Sequence, residues 1–72
     1  MANSSAAPAP VKHPGTVLIS GGAKGLGRGM ALALAKDGWA VAVCDIDAAG
    51  LERTVRDVEA VGRCKGWVAD IA

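Results

Sequence analysis

Residues 16–29 of the chain read Thr-Val-Leu-Ile-Ser-Gly-Gly-Ala-Lys-Gly-Leu-Gly-Arg-Gly. The apolar run at 17–19 predicts a buried parallel strand. This strand ends at Ser20 and is followed by a glycine-rich turn and an alanine-rich helical segment. A strand, a glycine turn and a helix in this order present free backbone N–H groups and a helix N-terminus to a phosphate. Glycine suits such a turn because part of it must adopt φ > 0 and because a Cβ would block the approach of a diphosphate.

The spacing of the glycines decides which phosphate-binding motif this is. The pattern G-x-G-x-x-G would need a glycine where Met30 stands, and a P-loop would need Gly-Lys followed by Ser or Thr. The pattern that fits is Ser20-Gly21-x-x-x-Gly25-Leu26-Gly27. It resembles the T-G-x-x-x-G-[IL]-G motif of the short-chain dehydrogenases/reductases, with Ser20 in place of the usual Thr. The resemblance implies that a nicotinamide dinucleotide binds at this turn, through Gly21, Lys24, Gly25, Leu26 and Gly27.

The helix that follows the turn is predicted from about Leu26 to Asp37. Its apolar residues recur at the spacing of a core-facing stripe, which predicts four buried side chains: Leu26, Met30, Ala33 and Leu34. Gly38 is suited to the position after the last helical residue, where a left-handed backbone is common. A second strand, apolar on both faces, is predicted at Trp39–Asp45.

The second half of the chain repeats the alternation. A helix is predicted from Asp47 to Val61, with a buried stripe of Leu51, Val55, Val58 and Val61, and a third strand at Arg63–Ala69. Two successive βαβ units give an α/β fold, a Rossmann-like parallel sheet of three strands in the order 3-2-1 with two helices. The carboxyl ends of all three strands then lie at one edge of the sheet.

Two acidic residues end strands at that same edge. Asp45 lies about 20 residues beyond the glycine turn, where a carboxylate can accept hydrogen bonds from the adenosine ribose of a dinucleotide. Either Asp45 or Asp47 could instead cap the second helix. We assign the cap to Asp47 and the ribose contact to Asp45, and we count the adjoining Ile46 among the cofactor-binding residues. By the family resemblance, Asp70 meets the adenine amino group and Ile71 lines the adenine pocket. From the sequence alone, Asp70 is equally suited to a turn.

Length, composition and charge bound the remaining possibilities. The 72 residues form at most one small domain, and the net charge of +1 gives no attraction to nucleic acid or to anionic membranes. Residues 1–14 are rich in Ala, Ser and Pro and read as a disordered leader without a secretion signal. Residues 15–72 then form the N-terminal part of a dinucleotide-binding domain.

Catalysis in the resembled family depends on residues that this sequence lacks. Its members transfer a hydride between nicotinamide and an alcohol or carbonyl compound, using a Tyr-x-x-x-Lys pair with a Ser. The chain contains no Tyr, and the resemblance covers only Thr16 to Ala72. We therefore expect this chain to be the cofactor-binding part of a nicotinamide-dependent oxidoreductase and to contain no catalytic residue. A small-molecule alcohol or carbonyl substrate is expected only for a full-length parent, which we expect to be a homo-oligomer. The alternative is a non-catalytic nucleotide-binding or interaction module, or an inert fragment.

The choice between NAD and NADP is open, with NAD favoured. Asp45 would repel the 2′-phosphate of NADP and accept hydrogen bonds from free ribose hydroxyls. Lys24, just before the second glycine of the motif, stands where some NADP-preferring relatives carry a basic residue. Arg28 could contribute similarly or be solvated.

The two cysteines are predicted to be free and buried. Cys44 lies near the end of the second strand and Cys64 near the start of the third, so a stagger of about four residues separates them by roughly 13 Å at 3.3 Å per residue. A disulfide requires Cα atoms within about 7 Å. Free thiols indicate a reducing compartment and a cytoplasmic location, and the spacing matches no zinc motif.

Overall fold

The computed structural model describes residues 9–70. Three strands alternate with two helices: β1 (Thr16–Ser20), α1 (Gly25–Lys36), β2 (Ala40–Asp45), α2 (Ala48–Glu59) and β3 (Arg63–Val68). Each element lies within two residues of its predicted bounds. The predicted alternation is therefore confirmed across the described part of the chain.

The strands form one parallel sheet in which β2 lies between β1 and β3. Thr16 pairs with Ala40 and Ser20 with Cys44, while on the other side of β2 Asp45 pairs with Val68. Both helices contact the sheet and each other, so they lie on the same face of it. This is the predicted Rossmann-like order, and it places the ends of β1, β2 and β3 at one edge.

The hydrophobic core lies between the sheet and the two helices. Val41 and Val43 of the central strand are almost completely buried, and Val43 has no exposed surface. The side chains that complete this core are Ile19, Ala31, Ala35, Leu51, Val58 and Cys64. The apolar residues of β2 thus hold both helices against the strand that ends at Asp45.

The predicted buried stripe of α1 is wrong. Leu26 is 81% exposed and Met30 46% exposed, and Ala33 is exposed as well, whereas Ala31 and Ala35 are fully buried. Of the four predicted residues, only Leu34 packs against the core. The helix is apolar around most of its circumference, so periodicity could not choose its face. The small side chains face the sheet because they allow the helix to approach it closely.

The predictions for α2 are confirmed. Leu51 and Val58 are buried, and Val55 and Val61 pack against the core. Asp47 is the N-cap, since its side chain accepts a hydrogen bond from the backbone N–H of Gly50 at 3.1 Å.

Part of the predicted leader contacts the folded unit. The backbone N–H of Ala9 donates to the carbonyl of Val61 at 2.9 Å, and that of Lys12 donates to the carbonyl of Gly38 at 2.8 Å. The His13 ring stacks on Trp39 with 4.2 Å between ring centroids and lies 3.1 Å from the carbonyl oxygen of Asp37. Within the predicted leader, Ala9, Lys12 and His13 thus form hydrogen bonds to distant parts of the chain. Residues 1–8 lie outside the described residues.

Both cysteines are buried and free, as predicted. Cys64 pairs in register with Val41, three residues before Cys44 rather than the predicted four. At about 3.3 Å per residue this stagger still exceeds the reach of a disulfide. Within residues 9–70 no cluster of three or more metal-ligating side chains occurs, and neither helix has the length and hydropathy needed to cross a membrane.

Candidate functional site

The carboxyl ends of the three strands surround a cavity of about 240 Å³. It is lined by Ser20, Gly21, Cys44, Asp45, Ile46, Ala69 and Asp70. Four predicted site residues are thus brought together, namely Gly21, Asp45, Ile46 and Asp70. The other predicted residues, Lys24, Gly25, Leu26 and Gly27, belong to the turn beside the cavity and the first turn of α1, and Ile71 lies outside the described residues.

Two larger hollows lie elsewhere on the described surface. One, of about 740 Å³, lies between α2 and the outer edge of β3. The other, of about 680 Å³, lies near the amino ends of the strands and includes residues 9–11. Neither contains the glycine turn or Asp45, so the small cavity is the one that corresponds to the predicted site.

The glycine turn bends at two glycines, and hydrogen bonds from residues 21–23 connect it to the end of β2. Gly21 has a φ of +75° and Gly25 a φ of +62°, values that glycine adopts without strain. The backbone N–H groups of Gly21 and Gly22 donate to the carbonyl of Cys44 at 2.9 and 3.2 Å. The next N–H, that of Ala23, donates to Oδ2 of Asp45 at 3.0 Å.

These contacts narrow down which N–H groups of the turn and of the helix start can face a phosphate. Three consecutive N–H groups, of residues 21–23, are occupied by the end of β2. The N–H groups at the start of α1 remain, because the first turn of a helix has no intrahelical acceptors. Lys24 is the N-cap and makes no side-chain capping hydrogen bond. The start of α1, and not the first half of the turn, is therefore the part suited to an anion.

Gly27 allows α1 to begin directly against the turn. A Cβ on this residue would overlap the carbonyl oxygen of Gly21 and lie 3.0 Å from the Gly21 carbonyl carbon. Such a distance between a side chain and the backbone is not tolerated without a shift of the turn. The third glycine of the motif is thus required by packing inside the protein, before any ligand is considered.

Asp45 accepts hydrogen bonds at both of its carboxylate oxygens. Oδ1 accepts from the N–H of Asp47 and Oδ2 from that of Ala23, each at 3.0 Å. These two bonds, the one from Asp47 more strongly, lower the pKa of Asp45 below its ordinary value, and the charge of Lys24 adds to the effect. The carboxylate is therefore ionised at neutral pH. Since it has about four acceptor positions, it keeps capacity for further donors such as hydroxyl groups.

The two basic residues near the turn have different surroundings. Lys24 is exposed, and its charge acts on Asp45. Arg28 forms an ion pair with Asp57, which joins α1 to α2. Lys24 and Arg28 are the two cations that could attract a 2′-phosphate, and Arg28 is already paired with the carboxylate of Asp57.

Thr54 contacts the glycine turn from α2, and the sequence interpretation missed it. It lies on α2, has no exposed surface, and its hydroxyl donates to the carbonyl of Ala23 at 3.1 Å. A polar residue at position 54 interrupts the apolar stripe formed by Leu51 and Val58. That interruption is the signal by which the sequence could have indicated it.

Comparison with known proteins finds sequence relatives of this chain. Residues 15–72 match the family model described as short chain dehydrogenase. A short chain dehydrogenase/reductase of Gibberella zeae, dpfgG, is 39% identical over 56 residues, which are 78% of this chain and 21% of that protein. A (3R)-3-hydroxyacyl-CoA dehydrogenase of Rattus norvegicus is 36% identical over 63 residues, covering 76% of this chain and 24% of that protein.

The fold has a close counterpart among solved structures. The Pseudomonas aeruginosa RhlG/NADP active-site complex superposes with a TM-score of 0.75 at 30% identity, covering 83% of this chain and 24% of that chain. The chain thus spans between 21% and 24% of the length of these three proteins.

Proposed function

The chain belongs to the short chain dehydrogenase family, and we propose that residues 15–72 are the cofactor-binding part of an oxidoreductase that interconverts an alcohol and a carbonyl compound. The cofactor is a nicotinamide dinucleotide, which would supply or accept the hydride when bound. The residues of this chain bind and orient it. A full-length parent contains the catalytic residues and binds the substrate, and it is a homo-oligomer.

The observation that carries this proposal is the meeting of three chemical features at one edge of the sheet. The start of α1 offers N–H groups to a diphosphate, and the ionised Asp45 offers acceptor positions to ribose hydroxyls. Ile46, which follows β2, and Asp70, which follows β3, line the same cavity as Asp45. An adenosine in this cavity, with its diphosphate toward Gly25–Gly27, would use all three features.

We further propose that NAD is preferred to NADP. The carboxylate of Asp45 is ionised and lies next to the turn, so it would repel a 2′-phosphate. Lys24 is the exposed cation that opposes this preference, and Arg28 is paired with Asp57. The Asp45 carboxylate repels a 2′-phosphate and the Lys24 ammonium attracts it, so NAD binds more tightly and NADP still binds, but more weakly.

Titration calorimetry with NAD and with NADP tests both proposals, using the longest translation product that contains residues 1–72. We expect binding of both, tighter for NAD, and a ratio of affinities that moves toward NADP in Asp45→Ala. Lys24→Ala is the matched control on the other side of the turn, and it should move the ratio toward NAD. If the product binds neither dinucleotide, the proposed function is wrong; if Asp45→Ala leaves the ratio unchanged, Asp45 does not discriminate.

The reading frame beyond codon 72 distinguishes this function from the alternative of a non-catalytic module. A continuing frame that encodes Asn-Ala-Gly and Tyr-x-x-x-Lys supports the oxidoreductase. A stop codon at that point, confirmed in the mature transcript, supports the module.

A further inference from the structure

We propose that Thr54 is a positioning residue for the dinucleotide, because it fixes the glycine turn by holding Ala23 from the side of α2. The inference rests on the proposed function and adds a residue to it. Thr54 lies 31 residues from Ala23 in the sequence, and its role is to set the direction of the backbone groups that precede α1.

Ala23 is held from two sides. Its N–H donates to Oδ2 of Asp45 at 3.0 Å, and its carbonyl accepts from Oγ1 of Thr54 at 3.1 Å. The residue itself is only 6% exposed. One hydrogen bond therefore comes from the end of β2 and the other from the middle of α2.

These two bonds fix both peptide planes that flank Ala23. A trans peptide is planar, so its C=O and N–H groups point in opposite directions, and no cis peptide occurs in the described residues. The bond from Thr54 directs the Ala23 carbonyl toward α2 and therefore directs the N–H of Lys24 away from it. Lys24 is the N-cap of α1, so its peptide plane sets how the helix begins.

The burial of Thr54 indicates that its hydroxyl is kept for this contact. The side chain has no exposed surface and lies on the same buried face as Leu51 and Val58. A valine would fill nearly the same volume without the cost of burying a hydroxyl. A helical threonine can also satisfy its hydroxyl on the preceding turn of its own helix. Here the hydroxyl bonds instead to a residue of the glycine turn.

The close approach of α2 to the turn depends on Gly50. A Cβ on Gly50 would lie 3.0 Å from the Cβ of Ala23 and 2.5 Å from Oδ2 of Asp47. The first turn of α2 thus packs directly on Ala23, and the hydroxyl of Thr54, one turn further along, completes the contact. The arrangement joins α2, which contributes no predicted site residue, to the start of α1.

The test compares Thr54→Val, which removes the hydroxyl and keeps the branched shape, with Thr54→Ser, which keeps the hydroxyl. Val58→Ala is the matched control, since it loosens the same buried face of α2 without a bond to the turn. Two quantities are measured in the longest translation product: the dissociation constant for NAD by calorimetry, and the hydrogen-exchange rate of the peptide that covers residues 20–25.

We expect Thr54→Val to weaken NAD binding roughly tenfold, the size of one buried hydrogen bond, and to speed exchange in the turn. Thr54→Ser should stay close to wild type in both measurements, and Val58→Ala should lower global stability with NAD affinity unchanged. If Thr54→Val does not fold, Thr54→Ala against Thr54→Ser makes the same comparison, because these differ by one oxygen atom.

Equal NAD affinity in wild type and Thr54→Val, with turn exchange no faster than in Val58→Ala, would overturn the inference and leave the proposed function intact. If the wild type binds no dinucleotide, the proposed function fails and the role in dinucleotide binding fails with it. The exchange rates then still decide whether Thr54 holds the turn.

Discussion

The clearest prediction concerns Gly27, which can be compared with a second glycine two positions further along the same helix. In Gly27→Ala the new Cβ would overlap the carbonyl oxygen of Gly21 and lie 3.3 Å from the Cα of Gly22. All of these neighbours are backbone atoms, so no flexible side chain can move aside. In Gly29→Ala the new Cβ has no atom within 4 Å outside its own helix.

The magnitudes follow from opposing effects. Alanine in place of glycine inside a helix stabilises it by about 1 kcal/mol, and both variants gain this. Overpacking costs about 1–3 kcal/mol, and contact with backbone places Gly27→Ala at the upper end. We therefore expect the free energy of unfolding to fall by about 2 kcal/mol in Gly27→Ala and to rise by up to about 1 kcal/mol in Gly29→Ala.

Urea denaturation followed by circular dichroism measures both free energies, and NAD titration of the folded variants measures the effect on the site. Gly27→Ala should also weaken NAD binding, since relief of the overlap must displace the turn or the start of α1. Gly29→Ala should bind as the wild type does. Equal stability and equal affinity in the two variants would refute the argument that the third motif glycine is required by contact with Gly21.

Three further predictions concern single groups. The pKa of Asp45 is lower in the folded protein than in the unfolded chain. The carboxylate therefore stabilises the fold above the unfolded pKa of about 4, and this contribution is lost as pH falls through the lower folded pKa. Urea midpoints between pH 2 and 7 should accordingly depend less on pH in Asp45→Asn than in wild type. Burial raises the pKa of the Cys64 thiol to about 11, so mass spectrometry should find its alkylation by iodoacetamide at pH 8 much slower in the folded protein than in urea. His13→Ala removes the ring stacked on Trp39 and should shift tryptophan emission to longer wavelength, and an unchanged spectrum would contradict that contact.

The sequence predicted the topology because its strongest signals were local and mutually consistent. Parallel strands share one direction, so alternation of strand and helix was enough to bring Gly21, Asp45 and Asp70 to one edge before any distance was known. The stripe of α2 was predicted because charged residues occupy its other face. On α1 the same rule failed, since alanine and leucine occur on most sides and only the closeness of the sheet selects Ala31.

Other features depended on contacts between distant residues, which no local pattern encodes. The bond from Thr54 to Ala23 spans 31 residues, and the anchoring of residues 9–13 depends on Gly38 and Val61. The motif predicted that the turn binds an anion, but it did not indicate which N–H groups the protein itself occupies. That distinction required the positions of the Cys44 carbonyl and the Asp45 carboxylate.

The double use of Asp45 determines how experiments on cofactor preference must be interpreted. Its carboxylate holds the N–H of Ala23 and that of Asp47, while the proposal assigns its remaining acceptor positions to the ribose. Removing the carboxylate therefore loosens the turn as well as the ribose contact, and the affinity for NAD and for NADP should both fall. Only the ratio of the two affinities isolates the effects at the ribose, namely the hydroxyl contact of NAD and the repulsion of a 2′-phosphate, because loosening of the turn weakens the diphosphate contacts that the two dinucleotides share. An equal fall in both affinities, without a change in their ratio, would mean that Asp45 acts on the turn and not on the ribose.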